Sequence, residues 1–92
     1  MPTFEHLKLA DKVSFTELEG EAVLLNLNTG AYFGLNRVGT TLINLIQGDH
    51  SIQIAAEKIA IEYGVSTEIA KHDINALIQD MLSQGLLVDA KS

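Results

Sequence analysis

Asn26-Leu27-Asn28-Thr29-Gly30-Ala31-Tyr32-Phe33-Gly34-Leu35-Asn36-Arg37-Val38-Gly39 is the stretch on which the fold turns. Asn28-Thr29-Gly30 interrupts an apolar run with residues that tolerate positive φ, as a short hairpin loop requires. Ala31-Tyr32-Phe33-Gly34-Leu35 resumes the strand pattern. Asn36 then offers a side-chain oxygen that can cap a helix. Beyond it the apolar spacing changes from two residues to about 3.6.

Upstream, Val13-Ser14-Phe15-Thr16 alternates apolar with polar, and Leu18 precedes a turn at Glu19-Gly20. From Glu21 to Leu27, Val23, Leu25 and Leu27 share one face, and Ala22 and Leu24 share the other. This second strand is apolar on both faces, which leaves room for a cover on each. Strands are expected over about 13–18, 21–27 and 31–35, joined as an antiparallel meander. Downstream, Val38, Leu42, Leu45 and Ile46 form a first helical stripe that stops near Gly48. Ser51 caps a second stripe of Ile52, Ala55, Ala56, Ile59 and Tyr63, closed by Gly64. Ser66 or Thr67 caps a third, of Ala70, Ile74, Leu77, Ile78 and Met81, closed by Gly85. Helices are expected over about 37–47, 52–63 and 67–84, with Leu86-Leu87-Val88 as a short apolar tail. The class is α+β: a three-stranded antiparallel sheet, then three helices, in one domain over 1–92.

The counts agree with that size. Ninety-two residues leave room for one domain, and 47% hydrophobic residues argue against disorder. Twelve acids against six bases give a net charge of −6, the opposite of a nucleic-acid binder's basic stripe. With zero cysteines, disulfides, thiolate metal sites and cysteine nucleophiles are all absent. No apolar run approaches the roughly 18 residues of a membrane span, and no basic segment with an apolar core opens the chain. A soluble cytoplasmic protein without membrane contact is expected.

Catalytic constellations are missing. His6, His50 and His72 have no histidine three or four residues away, so the helical zinc spacing is absent. Serines and threonines fall at caps and strands, without a nucleophile elbow. No glycine pattern for phosphate follows a strand. Glu17, Glu19 and Glu21 cluster at a turn and read as a solvated edge. The chain is therefore expected to be no enzyme and to hold no cofactor and no metal.

Helices two and three have a helix-turn-helix outline, which beside a small sheet suggests a winged helix. The outer face of the third helix would then meet DNA. It carries Glu68, Lys71, His72, Asp73, Asn75, Gln79, Asp80 and Ser83, three acids against one lysine. Phosphate binding needs several cations, so the charge opposes what the shape allows. Two other surfaces suit protein contacts. The strand over 31–35 is an outer strand without charge or proline, the devices that blunt an edge, so an extended peptide could add to it. Ile54 and Ile61 lie seven residues apart, almost opposite the core stripe of the second helix, and suit a partner or a second copy. A winged-helix regulator and a self-associating module remain the competing classes.

The segment from Asn26 to Gly39 resembles the signature of the PqqD-like family, a strand reading roughly "tG-x-Y-x-x-LN" that runs into a helix with a "vG" pair. Glu62-Tyr63-Gly64-Val65-Ser66, Asp73-Ile74, Leu77-Ile78, Met81-Leu82 and Gly85-Leu86-Leu87 extend the likeness over about Val13 to Val88. Ile43 stands where the family often has Trp.

The resemblance implies a peptide chaperone, or precursor-peptide recognition element, with three strands followed by three helices. Such proteins bind the leader of a ribosomally made peptide. They present it to a maturation enzyme, either a radical S-adenosylmethionine enzyme in pyrroloquinoline quinone synthesis or a leader protease in lasso-peptide synthesis. The longer "tGAYFGLNRVG" version is similar to the lasso type. The leader adds beside the third strand and lies against the third helix. Carried over by position, the edge is Ala31, Tyr32, Phe33, Gly34 and Leu35. The helix wall comes from Ile69, Asp73 and Ala76 on one flank or from Lys71, Asn75, Ile78 and Leu82 on the other. The family's recurrent acid, matched by Asp73, favours the first.

Overall fold

The alternation and the caps translate into eight elements in the computed structural model, which describes residues 5–90. These are β1 (Leu7–Leu9), β2 (Val13–Leu18), β3 (Glu21–Asn26), β4 (Tyr32–Leu35), α1 (Arg37–Gln47), α2 (Ile52–Tyr63), α3 (Thr67–Ser83) and β5 (Leu87–Asp89). Residues 1–4 and 91–92 of the expected 1–92 domain lie outside the described residues.

Strands β2, β3 and β4 form an antiparallel sheet in that order. The β3–β4 turn is built by local chemistry. The Asn26 Oδ1 accepts the N–H groups of Asn28 at 2.9 Å and Thr29 at 3.3 Å. Gly30 takes φ +80°, which side chains resist. The three helix starts use the caps that the sequence offers. Asn36 accepts from the Gly39 N–H at 3.0 Å, Ser51 from Ile54 at 3.1 Å and Ser66 from Ile69 at 3.1 Å. Each such cap is worth about 1 kcal/mol. Gly64 closes α2 in the left-handed region, at φ 68°.

One core joins sheet and helices. Ala22, Leu24 and Leu35 pack with Leu42, Ile43 and Ile46 of α1. Ala55, Ala56, Ile59 and Ala60 of α2, Ala70, Ile74, Ile78 and Met81 of α3, and Leu7, Leu86 and Leu87 near the two ends complete it. Helix α1 touches β1, β3, β4, α2 and α3 and so sits at the centre. Burying each leucine or isoleucine contributes about 1.5–3 kcal/mol.

Three expectations need correction. The sheet and three helices are joined by a second, two-stranded antiparallel sheet of β1 and β5, which pairs Leu7 with Asp89, Lys8 with Val88 and Leu9 with Leu87. The apolar tail is thus mostly strand. Its partner lies at the other end of the chain, where no local pattern points. Next, only one face of β3 is covered. Ala22 and Leu24 are buried, but Val23 is 41% and Leu27 60% exposed, because all three helices lie on the other side. Finally, β3 stops at Asn26, β4 begins at Tyr32 and α3 stops at Ser83. Asn26 ends the strand, its side chain makes the turn, and its N–H donates to the Ala31 carbonyl at 2.9 Å.

Candidate functional site: a groove beside an outer sheet edge

The register decides which backbone groups the sheet leaves unpaired. One step beyond the β3–β4 pairs, Asn26 stands opposite Ala31, and the Asn26 N–H donates to the Ala31 carbonyl. Bonded and non-bonded pairs alternate in an antiparallel ladder. Leu24–Phe33 and Ala22–Leu35 therefore exchange hydrogen bonds, and Leu25–Tyr32 and Val23–Gly34 do not. The N–H and C=O of Tyr32 and Gly34 point away from β3, along the outer edge of β4.

The opposite edge is less accommodating. Leu27 N–H donates to the Lys12 carbonyl at 2.7 Å, so by the same alternation β2 turns the backbone of Val13, Phe15 and Glu17 outward. Glu17 puts a carboxylate on that edge, where Asn44 Nδ2 of α1 donates to it at 3.1 Å. Charge on an edge discourages strand addition. The edge of β4 has none.

Side chains on β4 divide by parity. Leu35 is buried and Phe33 half-buried towards the helices, while Tyr32 stands 75% exposed on the open face. Gly34 has a Cβ position with nothing within 4 Å. Beside this edge lies a groove of about 430 Å³ lined by Phe33, Gly34, Leu35, Asn36, Val38, Asp73 and Leu77. Its floor depends on Gly39. A Cβ there would come within 3.0 Å of Leu35 Cδ2 and 3.2 Å of Leu77 Cδ2. The missing side chain lets β4 and α3 approach each other across α1.

Of the residues singled out in the sequence, Phe33, Gly34, Leu35 and Asp73 meet in this groove. Ala31 and Tyr32 lie on the same strand path outside the lining, and Ile69 and Ala76 are exposed on α3 outside it. The groove thus meets α3 on the flank that carries Asp73. Ile78, on the other flank, is buried in the core. Asn36, Val38 and Leu77 line the groove without having been singled out as site residues. In the sequence Asn36 stood out as a cap and the other two as core, and all three as positions of the family resemblance, but none as a binding residue. Leu77 follows Asp73 by four residues, which places both on one helix face, and that spacing was the available signal. Elsewhere, Ile61 is 83% exposed and Ile54 40% exposed on α2. Among the described residues no helix is long and apolar enough to cross a membrane.

The family model of coenzyme PQQ synthesis protein D matches residues 21–87. A comparison with curated protein sequences finds no match. Two solved structures are similar along nearly the whole chain. One is TbiB1 in complex with the TbiA(beta) leader peptide, 30% identical with a TM-score of 0.82, covering 87% of this chain and 93% of that one. The other is a lasso peptide synthetase B1 complexed with the leader peptide, 25% identical with a TM-score of 0.83, covering 90% of this chain and 98% of that one.

Proposed function

The chain belongs to the coenzyme PQQ synthesis protein D family, and from that premise we propose that it is a non-catalytic carrier of a precursor's leader peptide. The observation that carries this reading is an uncharged strand edge with two outward N–H and two outward C=O groups, set beside a groove walled by α3. An extended leader segment adds to β4 as a further strand. Alternate side chains enter the groove against Phe33, Leu35, Val38 and Leu77, and backbone bonds supply the rest. Ala31 and Tyr32 extend the edge, and Ile69 and Ala76 extend the α3 wall on either side of Asp73. The complexes of TbiB1 and of the lasso peptide synthetase B1 with leader peptides support it.

The finer steps belong to the same proposal. The carrier works in the cytoplasm, where precursors are synthesised, and hands its cargo to a maturation enzyme. A leader protease suits the lasso-type likeness better than a radical S-adenosylmethionine enzyme does. Ile54 and Ile61 form the surface for that enzyme or for a second copy. A winged-helix regulator is disfavoured by charge, since α3 shows Glu68, Asp73 and Asp80 against Lys71.

Fluorescence anisotropy of a labelled leader peptide, taken from any precursor found encoded in the same gene cluster, tests the proposal. Saturable binding with a Kd of about 1 μM or tighter is expected, equivalent to about −8 kcal/mol. Absence of saturable binding to the folded chain would refute it.

A further inference from the structure

We infer that the groove selects a lysine or arginine in the added strand, through Asp73. This rests on the leader-binding reading and names the side chain that the peptide must bring.

Asp73 is the one ionisable residue among the seven that line the groove. No described residue supplies it with a partner. Its helix neighbours at three and four residues are Ile69, Ala70, Ala76 and Leu77, none of which can donate from a side chain. Lys71 and His72 precede it by two residues and one, and so leave the helix on other faces. Arg37 begins α1 near the groove, but its Cγ and Nε lie within 3.9 Å of where a Gly20 Cβ would stand. Its side chain therefore reaches over the β2–β3 turn. Asn36 lines the groove too, but its Oδ1 accepts from the Gly39 N–H and its Nδ2 makes no hydrogen bond to Asp73.

In the empty groove, water solvates this carboxylate. A strand laid on β4 removes part of that water, and a carboxylate losing water without gaining a donor opposes binding. The surrounding walls, Phe33, Leu35, Val38 and Leu77, offer no donor. The ligand must bring one, and a cationic donor is the strongest match. Geometry fixes where it sits. The helices lie on the face of the sheet to which Phe33 and Leu35 turn, so the cation occupies a strand position of that parity. An apolar residue two positions away, of the same parity, fills the groove beside it. The selected pattern is a basic and an apolar residue separated by one residue of free choice.

Selection from a displayed library of random twelve-residue peptides tests this, with the wild type, Asp73→Asn, Asp73→Arg and Gly34→Pro as baits. Circular dichroism melts confirm that each bait is folded. The wild type should enrich Lys or Arg at one fixed distance from an apolar residue. Asp73→Asn should lose that preference and bind wild-type peptides about tenfold more weakly. Asp73→Arg should enrich Asp or Glu at the same position. If binders depend on Gly34 but show no basic position, or keep it unchanged with Asp73→Arg, the inference fails and the leader-binding reading stands. If no binder depends on Gly34, both fail.

Discussion

Proline at position 34 separates the free edge from the sheet's own bonds. The Gly34 N–H points outward, so Gly34→Pro removes a donor that β3 never uses. Its φ is not positive and its Cβ position is open, and edge strands tolerate proline where the N–H faces outward. Stability should change by less than about 1 kcal/mol, because lost chain entropy in the unfolded state offsets small strain. Peptide binding should change far more. An added strand can make up to four backbone bonds, two each with Tyr32 and Gly34. Proline removes one, and its ring pushes the incoming backbone off a second. At about 1 kcal/mol each, the loss is about 2 kcal/mol, roughly thirtyfold in Kd. Two controls isolate the cause. Gly34→Val keeps the N–H and fills open space, so binding should persist. Phe33→Pro breaks a bond to Leu24 and removes a core ring, so the melting temperature should collapse. Anisotropy titrations beside thermal melts give all three results. A folded Gly34→Pro chain that binds like the wild type would refute strand addition at β4.

Other perturbations probe the groove and its frame. Gly39→Val drives a side chain into Leu35 and Leu77, so it should cost about 1–3 kcal/mol in a denaturant melt and weaken peptide binding with it. Normal binding by this variant would detach the groove floor from the function. Thr40 is 2% exposed and its hydroxyl has no partner, so Thr40→Val should stabilise by about 1 kcal/mol, raising Tm by about 4–8 °C; a lower Tm would mean the hydroxyl is satisfied in solution. Ile61→Lys should leave folding and peptide affinity unchanged. If Ile54 and Ile61 carry a homodimer, it should shift sedimentation towards the monomer, and an unaltered profile would exclude that surface from self-association.

Legibility followed the range of the forces involved. The hairpin at Asn28-Thr29-Gly30 and the caps at Asn36, Ser51 and Ser66 are decided within a few residues, and they could be read directly. β1 and β5 could not. Three residues are too short for an alternation, and Leu7 pairs with Asp89, 82 residues away in sequence, beyond the reach of any local pattern. The groove was half visible. Phe33 to Leu35 and Asp73 stood out as an uncharged strand and an acid on a helix flank. Val38 and Leu77 read as core because periodicity assigns a face and not what packs against it. Both are half-buried at the border of the stripe, serving core and groove together. The bare outer face of β3 escaped for the opposite reason, since nothing in Val23 or Leu27 announces that no element will cover it.

The β1–β5 ribbon also sets how the molecule responds to force. Leu7 and Asp89, at the outer ends of the two strands, are directly paired. Tension applied between residues 5 and 90 therefore unzips the ribbon from its open end, one bond after another, instead of shearing all bonds at once. Low-force opening of this kind would expose Leu7 and Leu87 before the meander yields. A tweezers trace with a small early extension preceding the main rupture would show it, and a single abrupt rupture would not. With the ribbon yielding first, the β4 edge keeps its shape for as long as the meander and the helices stay folded.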